Sequence, residues 1–467
     1  MSNEDLAPLI LALLLLTVGA NVLGQLFARM RQPKVVGEIL AGVLLGPSLL
    51  GHLAPGATAS IFGSSTDDPS SMVLGFLYHF GLLLLMFVSG ASVRHVLGKE
   101  NRRPTAWILG LGTPLPFVLA LVIAPMLPLG QFTGEAGSES AVVLVFAVAA
   151  AVTSIPVITK IFHDLGILHT RFASLILGAA VLEDIALWGV LAIATAIASA
   201  TLSAGEGQIA GTISVHVVSN VVYVFVAMVV APSVLRWASR ARWNTLASQS
   251  PVAWIVAIMF GYVVVAAAFD VTLVFAAFLA GFGIVGGVKG TERARFRDSL
   301  GSIEHVASSV FIPVYFALVG YRLDFTKSFD PVMLVGFLVG TTLVVLFSVG
   351  LAARLAGFRG LDIVNLAVTC NARGGPGIVL ASVAFDAGII SAPFFTTLVV
   401  TAVLTSQACG AWLDFVIRRG WPLLSGADLR RRGLEPEPDE ELPLFRDPAH
   451  PDDSRTPAAA FAAEPDA

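Results

Sequence analysis

Two adjacent acids, Glu183 and Asp184, stand inside an otherwise apolar run, AAVLEDIALWG at 179–189. An ionisable side chain at membrane depth is costly, so a pair of them raises a functional question. On a helix, successive residues point about 100° apart. The two carboxylates can therefore line one aqueous cavity without stacking. Burial and mutual repulsion favour a proton on at least one of them. A carboxylate so placed holds either a proton or a hard cation through its oxygens, and that competition couples the movements of the two. The plainer reading is a polar contact between helices, or one buried acid paired with Arg373.

Two further clusters lie at comparable depth. In AVTSIPVITKIF (151–162) Pro156 lacks an N–H and crowds the carbonyl four residues back. A helix should break just ahead of it, where Thr153 and Ser154 can satisfy freed backbone or line a site. In NARGGPGIVLAS (371–382) the residues Gly374, Gly375, Pro376 and Gly377 oppose a continuous helix. Non-helical backbone at membrane depth survives only where protein or a water cavity covers it. The guanidinium of Arg373 needs an acceptor: Glu183, Asp184, or carbonyls of the broken helices. Glu38 lies near the end of its apolar segment and reads as structural.

The chain that must position these groups has 467 residues, 56 % of them hydrophobic and 13 % charged. Its mean hydropathy is +0.83, and soluble domains carry about 25 % charged residues. Segments of the roughly 20 apolar residues that a helix needs to cross a bilayer fall near 6–27, 35–51, 72–93, 105–127, 140–163, 172–200 and 212–236. Others fall near 252–268, 271–287, 301–321, 331–354, 361–386 and 393–417. These ranges predict an all-α integral membrane protein of about thirteen transmembrane helices. Connections on one side hold Arg29, Arg31, Lys34, Arg94, Lys99, Arg102, Arg103, Lys160 and Arg171, and the pattern continues to Arg418 and Arg419. Those on the other side hold only Arg322 and Lys327. By the positive-inside rule the basic side is cytoplasmic, with the N-terminus outside and the C-terminus inside. The acidic start MSNEDLAP lacks the basic region of a cleavable signal, so the first segment is expected to remain.

Glu183 lies about 12 residues into the sixth segment, about 18 Å along a helix and so near mid-bilayer. The two breaks fall in the fifth and twelfth segments, seven apart, so those segments run in opposite directions. Discontinuous helices at corresponding places of two halves indicate inverted repeats around a midplane ion site. The Gly-rich runs at 281–290 and 336–340 are expected to allow close helix packing. Residues 421–467, rich in Pro and charge, read as a disordered cytoplasmic tail. Cys370 and Cys409 are the only cysteines, which leaves no disulfide framework and no zinc spacing. The net charge of −4 gives no reason to expect nucleic acid as a partner. No Ser/His/Asp, resident-metal or phosphate-loop constellation stands clear of the membrane, so neither an enzyme nor a cofactor is expected.

These residues carry a family resemblance. QPKVVGEILAGVLLGPSLLG (32–51), FGLLLLMFVSG (80–90), TSIPVITKIFHDLGIL (153–168), GAAVLEDIALW (178–188), FIPVYFALVGYRLDF (311–325) and NARGGPG (371–377) resemble the monovalent cation:proton antiporter-2 family. That family includes Kef-type potassium and related sodium antiporters. The resemblance covers roughly 6–417, in order. It implies a sodium/proton antiporter-like fold in which two broken, crossing helices lie beside an ion-binding Asp that matches Asp184. It implies a homodimer, and an antiporter domain over 1–420. Core helices at about 105–200 and 331–417 would move against scaffold helices at about 6–93 and 212–321.

The activity implied is exchange of Na+ or K+ for protons across the plasma membrane by alternating access. Asp184 would be the shared site, Glu183 would assist, and Thr153 and Ser154 would supply oxygens. Pro156, Arg373, Gly374, Gly375 and Pro376 would break the helices or compensate their charge. The chain departs from the family in four places. Glu183 stands where Asp, Asn or Gln is usual. No basic residue occurs in 331–353, where a Lys is frequent, which makes Arg373 the candidate substitute. Gly375 replaces a frequent acid, and Ala91-Ser92 replaces a usual Glu. A channel-like cation permease, or a non-transporting membrane sensor on the same scaffold, is the competing expectation.

Overall fold

In hydrocarbon every peptide N–H and C=O must find a partner within the protein, which leaves the helix as the open-ended element of choice. The structure, a computed structural model, describes residues 3–30, 32–63, 68–96, 107–167, 170–203, 218–219, 222–241, 244–269, 271–285 and 292–424. Among them no strand occurs, only an isolated bridge between Thr133 and Ile390. The main helices are α1 (Asn3–Arg29), α2 (Lys34–Leu45), α3 (Pro69–Val96), α4 (Pro114–Ile123), α5 (Glu139–Ala151), α6 (Ile155–Asp164), α7 (Arg171–Ser203) and α8 (Ala231–Arg240). They continue with α9 (Pro251–Ala268), α10 (Leu273–Val285), α11 (Glu292–Val306), α12 (Ile312–Tyr321), α13 (Pro331–Leu355), α14 (Leu361–Cys370), α15 (Gly374–Asp386) and α16 (Ala392–Arg418).

Eight continuous helical stretches among the described residues are long and apolar enough to cross a membrane, from Leu6–Arg29 to Ala392–Arg418. Shorter apolar helices, including Gly110–Met126, Glu139–Ala151 and Leu273–Ile284, fill other expected segments. With α5/α6 and α14/α15 each taken as one interrupted passage, the helices fall on the thirteen expected segments. The seventh is shifted: its membrane-length helix runs Val222–Ser239, and 204–217 lie outside the described residues, as do 425–467 of the expected tail.

Proline shapes three of the passages. A wide π-type turn precedes Pro114, Pro232 and Pro313, at Ile108–Gly112, Val226–Val230 and Ala307–Phe311. Each proline removes a donor and pushes on the carbonyl behind it, so the ladder locally widens. Carbonyls in two of these turns are taken up by other helices. Asn21 Nδ2 donates to the Ser309 carbonyl at 3.2 Å, and the Tyr262 hydroxyl donates to the Ala227 carbonyl at 3.0 Å.

Glycine sets the closest contacts. A Cβ on Gly42 would collide with the Ala317 carbonyl, and one on Gly320 with the Ile39 carbonyl, so α2 and α12 touch backbone to backbone. Gly90 and Gly281 do the same for α3 and α10, against the carbonyls of Phe278 and Phe87. Gly281 thus packs as expected, whereas Gly336 and Gly340 do not: nothing lies within 4 Å of a Cβ at either. They line a cavity of about 390 Å3 beside Phe132, Phe146 and Phe337, where no helix among the described residues packs directly on these two positions of α13. These two kinds of glycine predict opposite outcomes. Gly42→Ala should destabilise the folded protein by about 1–3 kcal/mol. Gly336→Ala should be neutral or stabilising by up to about 1 kcal/mol. Thermal unfolding of the two variants in detergent micelles checks both signs.

Candidate functional site

Both expected breaks are present, and they cross. α5 ends at Ala151, Val152 turns to an extended conformation (φ −63°, ψ 134°), and α6 restarts at Ile155. Pro156 falls in the first turn of α6, where its missing N–H costs nothing; its side chain lies outside the described residues. The second break spans Asn371, Ala372 and Arg373, between α14 and α15. At the crossing the Ser154 N–H donates to the Ala372 carbonyl at 2.7 Å, and the Thr153 hydroxyl donates to the Cys370 carbonyl at 2.9 Å. Ser154 Oγ also accepts from the Val157 N–H at 3.4 Å, capping α6.

Helix α16 caps the other break. Thr405 Oγ1 accepts from the Arg373 N–H at 3.4 Å, and Ser406 Oγ from the Gly374 N–H at 3.0 Å. Gly374 has φ +37°, and a Cβ there would collide with Val157 and Ser154, so only glycine fits. Pro376 sits in the first turn of α15, and a Cβ on Gly375 would meet the Phe316 ring of α12 at 3.7 Å. Thr153, Ser154, Arg373, Gly374, Gly375 and Pro376 are all buried. The Ser154, Arg373 and Gly374 N–H groups and the Cys370 and Ala372 carbonyls are therefore satisfied by the facing break and by hydroxyls.

Glu183 lies beside this crossing on α7, only 4 % exposed. Its Oε2 accepts from the Thr113 hydroxyl at 2.9 Å, while Oε1 has no hydrogen-bond partner among the described residues. Between them is a space of about 10 Å3 lined by Gly112, Thr113, Thr153, Glu183, Cys370, Val345 and Val349. That is about the room one water molecule needs, or an ion stripped of its shell. On α13 this space meets only valines, so no lysine reaches Glu183 from that helix. Asp184 occupies the next position of α7; its side chain lies outside the described residues.

Arg373 does not substitute for the missing lysine among the described residues. Its Nη2 donates to the Ala150 carbonyl at 3.5 Å and to Asn371 Oδ1 at 3.4 Å, and its guanidinium carbon lies 5.8 Å from the Phe337 ring centre. Nε and Nη1 have no partner there. The last carbonyls of α5 lack intrahelical donors and carry the negative end of the helix dipole, so they draw the cation towards the break. Of the acceptors open to Arg373, a break carbonyl is the one observed. Sequence reasoning missed Thr113, Thr405 and Ser406. A hydroxyl directly ahead of a proline in LGTPLP and the recurrence of Thr396, Thr401 and Thr405 along α16 were the available signals.

A family model described as sodium/hydrogen exchanger, transmembrane, matches residues 10–419. The chain is 29 % identical over 423 residues to K(+)/H(+) antiporter 1 of Saccharomyces cerevisiae, covering 87 % of this chain and 46 % of that one. It is 24 % identical over 403 residues to the Na(+)/H(+)-K(+) antiporter GerN of Bacillus cereus, covering 86 % and 94 %. It thus spans about half the length of the yeast relative and nearly all of the bacterial one. The solved structure of the sodium proton antiporter MjNhaP1 from Methanocaldococcus jannaschii at pH 8 superposes with a TM-score of 0.57 at 12 % identity, over 88 % of this chain and 96 % of that one. It shares the fold. With two crossing breaks beside a buried acid, on a multi-pass helical bundle matched over 10–419, the chain belongs to the sodium/hydrogen exchanger family.

Proposed function

We infer that the protein is a secondary antiporter exchanging a monovalent cation, Na+ or K+, for protons by alternating access. The observation that carries this reading is Glu183, a buried acid with one oxygen unpartnered among the described residues and a water-sized space beside it. An unpaired carboxylate there must take up a proton or a hard cation, since leaving it ionised and bare is too costly. Thr153 lines the same space and can contribute an oxygen. Asp184 is the shared cation and proton site in this proposal, with Glu183 assisting, Ser154 supplying a further oxygen and Arg373 compensating the carbonyl ends at the crossing.

Two helix groups carry the motion: a core of about 105–200 and 331–417, and a scaffold of about 6–93 and 212–321. What supports the division is how the helices touch. Backbone-to-backbone seams at Gly37, Gly42, Gly81, Gly90, Gly281 and Gly320 join scaffold to scaffold, while Gly134 joins core to core. Across the boundary the contacts are made by side chains, such as Thr195 with Thr272 at 2.7 Å between hydroxyl oxygens. Side-chain contacts can be exchanged as one body slides past another, whereas interlocked backbones cannot. The same proposal places the protein in the plasma membrane as a homodimer, N-terminus outside and C-terminus cytoplasmic.

In proteoliposomes, adding Na+ or K+ should drive proton movement, and Asp184→Asn should reduce it to background; a fully active variant overturns the assignment. Thr113→Val should shift the apparent cation affinity while leaving the protein folded, because it removes the hydroxyl that orients Glu183. An unchanged affinity would take Thr113 out of the site. For orientation, a membrane-impermeant thiol reagent applied to intact cells should label Lys327→Cys and spare Arg359→Cys. The reverse pattern inverts the topology.

A further inference from the structure

At the end of the bundle opposite the arginine-rich loops, an ion pair crosses the boundary between the two helix groups. Arg322 follows the last turn of α12, and Asp386 is the last residue of α15. Arg322 Nη1 donates to Asp386 Oδ1 at 2.5 Å, with the side chains 33 % and 24 % exposed. The guanidinium carbon lies 3.9 Å from the ring centre of Tyr78 on α3, itself 1 % exposed. One turn deeper the Tyr315 hydroxyl of α12 donates to Ser382 Oγ of α15 at 3.2 Å, and the Tyr78 and Tyr315 rings lie 5.3 Å apart.

We propose that Arg322 and Asp386 are positioning residues of the exchange cycle, a latch that holds the core in the state described here and opens whenever the core moves. This rests on the core-and-scaffold reading above. Tyr78, Tyr315 and Arg322 belong to the scaffold, whereas Ser382 and Asp386 belong to the core. A pair buried without water would leave two bare charges on opening and would forbid the motion. This pair is partly exposed, so both charges regain water when they part. The Tyr78 ring keeps the guanidinium with the scaffold by cation–π attraction after Asp386 leaves. The Tyr315–Ser382 bond is neutral, and breaking it strands no charge. The latch acts by position: twelve residues of α15 separate Asp386 from Gly374, about 18 Å along the helix.

The test uses the full chain in proteoliposomes, with R322C and D386C combined in a Cys370→Ala, Cys409→Ala background and a reducible bifunctional thiol reagent. Cross-linking should stop cation-driven proton exchange, and reduction should restore it. Undiminished exchange by the cross-linked protein overturns the latch. Should the double-cysteine variant fail to fold, R322Q alone should change turnover by about two- to fivefold, the worth of a partly exposed pair. R322D combined with D386R should then return turnover to the native value. Unchanged turnover in R322Q, or no recovery in the swapped pair, also overturns it. If the native protein exchanges no cation, the antiport reading falls by itself. Cross-linking yield then still decides the latch: a yield that changes with saturating Na+ or K+ supports it, and a constant yield sinks it.

Discussion

A helix interrupted in mid-bilayer leaves N–H groups of the restarting half and carbonyls of the ending half without partners, and no lipid can supply them. Each orphan costs about 1–3 kcal/mol when buried, so two interrupted helices far apart would not be tolerated. In this protein they lie against each other. The Ser154 N–H reaches the Ala372 carbonyl, and the Thr153 hydroxyl reaches the Cys370 carbonyl. Thr405 and Ser406 of α16 take the two N–H groups that open α15. Everything at the centre of the bundle follows from that mutual satisfaction. Gly374 must be glycine because its φ is positive and the side chains of Val157 and Ser154 leave no room for a Cβ, and Arg373 is drawn to the carbonyl end of α5.

The crossing also explains why an acid is tolerated next to it. Thr153, from the first break, and Cys370, from the end of α14, line the space beside Glu183, and the positive ends of the restarting half-helices favour an anion nearby. Yet no cation among the described residues bonds Glu183 directly, and its hydrogen bond comes from a neutral hydroxyl on Thr113. A carboxylate held by a permanent ion pair would be chemically idle. One held by a hydroxyl beside a water-sized space, as here, fits the exchange proposed above. The valines of α13 that line this space keep it small and apolar on that side, which strengthens each electrostatic contact within it.

Rigid and yielding contacts are distributed unevenly through the bundle. Where glycines bring backbones together, as between α2 and α12 or α3 and α10, the helices interlock and behave as one body. Where α12 meets α15, aromatic and polar side chains intervene instead, with Arg322, Tyr78 and Tyr315 on one side and Asp386 and Ser382 on the other. Surfaces of this second kind have more than one workable arrangement. In the antiport mechanism proposed above, the crossing belongs to the body that includes α5, α6, α14 and α15, and its movement would carry the site as a unit.

Much of this was legible in the amino-acid sequence. Hydrocarbon thickness and positive charge in alternate loops are strong constraints, so the passages could be placed from 6–27 to 393–417, with only the seventh displaced. Pro156 and the Gly374–Gly377 run located both breaks because proline and consecutive glycines oppose a helix whatever surrounds them. Glu183 and Asp184 stood out because charge at that depth is expensive in any fold. Partnership was different, since it depends on which helices the bundle brings together. Only the tertiary structure decided that Thr113, unremarkable in its own segment, holds Glu183, and that Arg373 turns to the Ala150 carbonyl. Likewise Gly281 and Gly340 look alike in sequence, yet one meets the Phe87 carbonyl and the other faces a cavity. Local composition determines what a membrane segment must be and where it must fail, whereas pairing between distant segments is a property of their packing.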